Sequence, residues 1–316
     1  MTNTPLHTGP VILDPILVER IWGVHSLSPW HAVGGDGSTE KPIGEIWLTA
    51  ETCKVASGVA AGQSLAEVTE ASPEAFGDPG HHGFPLLIKL LFPREKLSVQ
   101  VHPNDAEAQA LGMPRGKTEC WYVLSADPGA QVAVGFKKPL STEQVAAAIK
   151  NGSVENELHM LDVKAGDMVF VDAGTVHAIG PGMVVLETQQ YSDTTYRLWD
   201  YGRPRELHVE AGMAVTRTTS DAGLVAPTPM DGFTRLVASA YFAVDRFKLG
   251  GADAAALGDA GKLQILIALG GGCTLQAGEG EPVSLPRGKA VVLPATQEEF
   301  ALSGTAGAEV IRVLQP

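Results

Sequence analysis

Leu97-Ser-Val-Gln-Val-His-Pro-Asn-Asp105 and, with sixteen residues between it and His102, Glu119 within Lys117-Thr-Glu-Cys-Trp-Tyr-Val123 decide how this chain folds and what it carries. Side chains alternate between the two faces of a strand. Ser98, Gln100 and His102 therefore share one face, while Leu97, Val99 and Val101 point into a core. By the same rule Lys117, Glu119 and Trp121 share a face of a second strand, and Cys120 falls on the other side as a small core residue. Where the two polar faces meet, an imidazole, a carboxylate and an amide oxygen converge beside a lysine. That donor set is most of a metal site.

Working outward, Val11–His25 opens with a strand-like run broken by Pro15, and Ile43–Thr49 alternates with Glu45 and Trp47 on one side. Residues 28–42 are polar and glycine-rich, the composition of a loop. Ser64 with Glu67, and Ser141 with Gln144, have the spacing of helix-starting capping boxes. Phe84–Leu91 is apolar except for Lys89, a lysine that either snorkels at a strand end or points into a cavity. Residues 131–136 and 158–190 read as short strands separated by turns, and the polar, Pro/Gly-rich 217–232 reads as a linker. With 316 residues, 36 glycines and 21 prolines, the chain is expected to be all-β, with two domains at 1–225 and 233–316.

An internal echo supports two similar units. Val163–His177 can be laid on Leu285–Glu299, and Glu119–Leu124 on Gln264–Leu269. The second copy has Glu299 in place of His177 and Gln264 in place of Glu119, so it is expected to be a β unit without a metal.

The net charge of −13 argues against nucleic acid and anionic membranes as partners, and requires any anionic substrate to find local positive charge. No apolar run approaches the ~18–20 residues that cross a bilayer. The first residues have neither a basic nor an apolar leader region, and three cysteines, far apart and odd in number, do not form a disulfide framework. A reducing cytoplasm is the expected setting.

Gly166-Asp-Met-Val-Phe-Val-Asp-Ala-Gly-Thr-Val-His177 resembles the second cupin motif, with Asp172 where a proline is usual and Pro181 where an asparagine often stands. The first cupin motif departs further: Gln100-Val-His102 replaces His-x-His, and Glu119 follows only after the sixteen-residue insertion. That departure resembles the type I mannose-6-phosphate isomerases, whose Leu-Ser-Ile/Val-Gln-Val-His-Pro-Asn/Asp pattern Leu97–Asp105 reproduces almost letter for letter. Ile43-Gly-Glu-Ile-Trp47 is similar to that family's Gly-Glu-x-Trp, and Glu187, Ser192-Asp193 and Arg197 keep its spacing of carboxylate, Ser-Asp and arginine. The resemblance spans about residues 11–205 and weakens beyond.

The resemblance implies a jelly-roll cupin barrel with a few short helices, a smaller cupin-like C-terminal unit, and Zn²⁺ held by Gln100, His102, Glu119 and His177. Imidazole and carboxylate suit zinc, though Fe²⁺, Mn²⁺ and Co²⁺ fit the same donors. It implies interconversion of mannose 6-phosphate and fructose 6-phosphate through a cis-enediol, with Lys89, Lys117 and Arg197 on the sugar phosphate. The expected proton carrier is Glu187, with Lys117 and Asp193 as competitors, and Trp22 and Trp47 are expected to pack the barrel mouth. A non-catalytic sugar-binding cupin and an iron-dependent dioxygenase are the rival readings. Monomer and homodimer both stay open.

Overall fold

The computed structural model describes residues 9–31, 38–250, 255–277, 281–295 and 299–316, and it is built from strands with five short helices. Two sheets form the N-terminal sandwich. The larger runs in the order Gly223–Val225, Met168–Val171, Glu119–Ala126, Met183–Gln190, Leu86–Leu91, Ser38–Trp47, Ile16–Ser26. The smaller runs Tyr196–Trp199, Val99–Val101, His177–Ile179, Gln131–Phe136, Leu158–Asp162. Their inner faces close over Trp22, Leu91, Trp121, Val132, Val134, Val169, Val171 and Val185.

A second sandwich pairs an eight-stranded sheet with a four-stranded one around Phe247, Leu266, Leu275, Val291, Leu302 and Val310. The large sheets of the two sandwiches pack back to back: Ile88, Leu90, Cys120 and Leu186 meet Val244, Ile265, Ile267, Ile311 and Val313 in one core. This explains why Leu86–Leu91 is buried at every position and reads as an apolar run interrupted only by Lys89. A strand covered on both faces has no solvent side to alternate with. The outer face of the five-stranded sheet is covered instead by Thr142–Lys150 and Val209–Val215, which bury Val145, Ala148, Ile149 and Val215 against Val99, Val101 and Leu198.

Local expectations mostly hold. Both capping boxes form, at Ser64 with Glu67 and at Ser141 with Gln144. Gly166 (φ 94°) and Gly174 (φ 87°) occupy the left-handed region at the two turns flanking Met168–Val171, a conformation open to residues without a Cβ. Two readings are corrected. Residues 38–42 begin the strand Ser38–Trp47 rather than ending a loop, because pairing with Ile16–Ser26 supplies hydrogen-bond partners that composition does not reveal. The expected linker also carries structure, since Gly223–Val225 adds to the edge of the large sheet beside Met168–Val171. The first strand, Val11–Asp14, crosses to the second sandwich and pairs with Ala290–Leu293. In the proposed repeat, Gln264 is buried on a strand, while the turn before Glu299 includes residues 296–298, outside the described residues.

Candidate active site

His102, Glu119 and His177 converge inside the first sandwich from three different segments, their ligand atoms all within 4.8 Å of one another. The register explains how. His177 is the direct cross-strand partner of Gln100, whose Nε2 lies 3.2 Å from His177 Nε2. Glu119 starts its strand opposite Val171, six residues before His177. His177 and His102 Nε2 stand 3.4 and 3.6 Å from the two oxygens of Glu119, and all three residues are fully buried.

Each imidazole is oriented from behind. His102 Nδ1 faces the Thr194 carbonyl at 2.8 Å and His177 Nδ1 faces the Thr175 carbonyl at 2.9 Å, so Nδ1 carries the proton and the bare Nε2 of each ring faces the Glu119 carboxylate, that of His102 also accepting from the Lys117 ammonium at 3.0 Å. Burial, reinforced by the Lys117 charge, holds the His102 pKa well below the ordinary value; burial lowers His177 as well. Both rings are neutral, and their contacts with Glu119 are contacts between electron-rich groups rather than ion pairs.

Glu119 stays ionised. Burial is the largest single influence and would raise its pKa, but the surrounding groups, led by the Lys117 ammonium 2.7 Å from Oε2, together hold the carboxyl below the usual range. Trp121 donates its indole N–H to Oε1 at 3.1 Å, while Oε2 receives no hydrogen bond of acceptable geometry despite the nearness of Lys117. Two neutral imidazoles with aimed lone pairs, an ionised carboxylate with an unsatisfied oxygen and the Gln100 amide are chemically suited to a divalent metal ion.

One register row links the cluster to the far side of the sheet: Trp47 opposite Lys89, Lys89 opposite Glu187, Glu187 opposite Trp121. Lys89 and Glu187 are both buried and pair at 3.4 Å. Burial first, then the Glu119 charge, raises the Glu187 pKa despite Lys89 and Lys117. For Lys117, burial would lower the pKa, but Glu119 and Glu187 prevail and raise it, so its ammonium keeps its proton.

The structure brings seven of the nine expected residues, Lys89, Gln100, His102, Lys117, Glu119, His177 and Glu187, into one connected site. Arg197 lies directly across from Gln100 in the sheet, with Nη1 donating to the Glu206 carbonyl at 2.8 Å and Nε buried without a partner. Asp193 is not brought in: it is exposed and joined to the cluster by no hydrogen bond or ion pair, although its neighbour Thr194 orients His102. Lys89 does not snorkel: it lies on the inner face of the first sandwich, in one row with Glu187 and Trp121, and is buried there against Glu187.

Sequence reasoning missed the residues behind Lys89. Glu45 is buried, accepts the Arg20 Nε–H at 2.8 Å and the Trp47 indole N–H, and the Lys89 ammonium stands 5.3 Å from the Trp47 ring centre. Burial would raise the Glu45 pKa, yet Lys89 and Arg20 together lower it. The available signal was the shared face of Glu45 and Trp47, which was assigned to packing alone.

The profile of the family described as phosphomannose isomerase type I, catalytic domain, matches residues 11–128. A mannose-6-phosphate isomerase from Streptococcus mutans is 38% identical over 77% of this chain and 79% of its own length. The enzyme of that name from Bacillus subtilis is 34% identical over 95% of this chain and 97% of its own. The crystal structure of a Bacillus subtilis mannose 6-phosphate isomerase superposes with a TM-score of 0.84 at 31% identity, covering 96% of this chain and 99% of that one. Likeness of this extent, over nearly the whole length of the chain, settles the lineage: the chain belongs to the type I phosphomannose isomerase family.

Proposed function

We propose that this chain is an enzyme that interconverts mannose 6-phosphate and fructose 6-phosphate by moving a proton between C1 and C2. The observation that carries the reading is the buried Glu187 carboxylate, paired with Lys89 and standing in the same row as the donors around Glu119. Aldose–ketose exchange needs a base over the two carbons, positive charge on the two oxygens and a clamp on the phosphate.

Glu187 is the base of this reading. Its raised pKa brings it toward the range in which a carboxylate both takes and returns a proton. It removes the proton from C2 of the aldose, the electron pair enters the C1–C2 bond, and the carbonyl oxygen O1 becomes an enediolate oxygen. The O2 hydroxyl proton passes to O1, the C2–O2 carbonyl forms, and Glu187 returns its proton to C1. Lys117, held protonated, stabilises the enediolate and is for that reason a poor base. Asp193 is set aside by its exposure. Arg197, with a buried unpartnered Nε and a planar guanidinium, is the phosphate partner. Lys89, expected on the substrate, is committed to Glu187 and acts first on the charge of the base.

Gln100, His102, Glu119 and His177 would hold the metal, Zn²⁺ in our assignment, which supplies an electrophile for the sugar oxygens. We assign the catalytic unit to residues 1–225 and a degenerate cupin-like unit to 233–316. In that second unit the buried pair Arg312–Asp245, beside Gln264, fills the interior. No helix among the described residues is long and apolar enough to cross a membrane, and with three buried free cysteines we assign the protein to the cytoplasm. The deciding experiment is a coupled assay of mannose 6-phosphate conversion to fructose 6-phosphate on metal-quantified protein, with and without a chelator. Full-rate conversion by metal-free protein removes the metal from the scheme, and no conversion by loaded protein removes the function.

A further inference from the structure

The sixteen-residue insertion leaves the barrel after His102 and must return Lys117 and Glu119 to within contact of it. Its return is closed by a set of contacts outside the polar cluster. Lys117 N–H donates to the Pro103 carbonyl at 2.9 Å, and Gly116 N–H donates to Asp105 Oδ1 at 2.8 Å. A Cβ at Gly116 would lie 2.4 Å from the Asn104 carbonyl carbon and 2.6 Å from the Pro103 oxygen, so the two ends of the loop meet backbone to backbone.

Asp105 Oδ1 also accepts the Gln190 Nε2–H at 2.8 Å. Gln190, itself buried, accepts the Thr118 N–H on its Oε1 at 3.0 Å and donates its own backbone N–H to the Thr118 carbonyl at 3.0 Å. Thr118 is thereby held at both of its backbone groups, between the two residues that face His102. The last member comes from the second sandwich. Tyr241, on the turn between Thr234–Ala238 and Ala243–Lys248, stands beside the Asp105 carboxylate in one cleft, and burial together with the Asp105 charge raises the pKa of its hydroxyl. Tyr241, Asp105, Gln190 and Arg115 line one cleft of about 220 Å³ at the seam between the sandwiches.

We propose that Asp105 is a positioning residue for Lys117 and Glu119, acting through Gly116 and the Gln190–Thr118 pair, and that Tyr241 makes the C-terminal unit part of that clasp. The function of the second sandwich is then to fix the active-site loop rather than to bind substrate. None of these five residues touches the reacting centre, yet a shift of a fraction of an ångström at Thr118 moves Lys117 and Glu119 together. Displacements of about 1 Å cost up to about 10²-fold in rate. The proposal rests on the isomerase reading for its kinetic readout but not for its spectroscopic one.

The test compares the whole wild-type chain with Tyr241→Phe, Asp105→Asn and the double variant. Tyr241→Phe removes one oxygen and keeps the packing, so it remains informative if Asp105→Asn folds poorly. The expected result is a loss in kcat of about tenfold in each single variant, with KM, metal content and melting temperature little changed, and a double variant no worse than the worse single one. With Co²⁺ loaded in place of the native metal, the visible absorption bands of both variants shift as the Glu119 carboxylate moves. Unchanged kcat and unchanged Co²⁺ bands in both variants overturn the proposal. So do losses that multiply in the double variant, or losses that track melting. Wild-type protein inactive on mannose 6-phosphate sinks the isomerase reading alone, and the Co²⁺ bands then decide the clasp.

Discussion

Lys89 and Glu187 face each other directly across two central strands, 3.4 Å apart and both shut away from solvent. A buried lysine and carboxylate held this way define each other's charge, and removing either leaves the other without its partner.

Glu187→Gln is therefore expected to keep metal content and to keep KM for mannose 6-phosphate within a few-fold. Turnover and solvent proton exchange at C2 are expected to fall by about 10²–10⁴. Deuterium incorporation followed by proton NMR in D₂O reads the exchange directly. Undiminished incorporation moves the base elsewhere.

His177→Ala removes one aimed lone pair and one neighbour of Glu119. Metal per chain and turnover are expected to fall together, turnover by at least about 100-fold. Elemental analysis of the dialysed protein is the measurement. Full metal occupancy with wild-type turnover contradicts the ligand assignment.

The thiols make a pH prediction. Burial raises the Cys53 pKa from 9.0 to about 11 and raises Cys120 as well. A folded thiol pKa above its unfolded value means the unfolded chain loses its proton first. The stabilisation from such a thiol is complete below pH 9 and disappears as pH rises toward 11, at about 1.4 kcal/mol per pH unit and per group. Melting temperature is expected to fall between pH 8.5 and 10.5, less steeply in Cys53→Ala. At pH 8, Ellman's reagent should find no fast thiol in the native protein and three after denaturation.

Arg312 and Asp245 are fully buried in the second sandwich, with Arg312 beside the stacked Phe233 and Phe247 rings. Asp245→Asn removes the buried charge that Arg312 and Arg235 share, leaving Arg312 with Asp259 as its one carboxylate among the described residues, and should lower stability by about 3–5 kcal/mol, measured by urea denaturation. Per folded molecule, kcat should stay close to wild type.

Much of the site was legible because strand alternation is a local rule. Gln100 with His102, and Lys117 with Glu119 and Trp121, were placed on shared faces from spacing alone, and the structure puts those faces in contact. What alternation cannot state is which strands become neighbours. The pairing of His177 with Gln100 spans 77 positions and came through the resemblance, not the spacing. Lys89 was ambiguous for the same reason, since its burial depends on Glu187 and Trp47, cross-strand neighbours from distant parts of the chain. Asp193 failed because a family spacing fixes a position along the chain and not the direction of a side chain in an irregular turn. Glu45 was seen and undervalued, because its importance comes from Arg20 and Lys89 on neighbouring strands.

The first strand of the chain, Val11–Asp14, lies in the sheet of the C-terminal sandwich, between Ala290–Leu293 and Lys54–Val55. Val11 pairs with Val292, so on the ribosome this strand emerges long before its partner is made. The N-terminal sandwich can gather around its own core in the meantime, but the molecule is latched only when residues 290–293 arrive. Cutting the chain within 217–232 would not yield two independent pieces: the C-terminal fragment would lose the two strands at one edge of its sheet, and the N-terminal fragment would carry Val11–Asp14 with only the two-residue Lys54–Val55 to pair it.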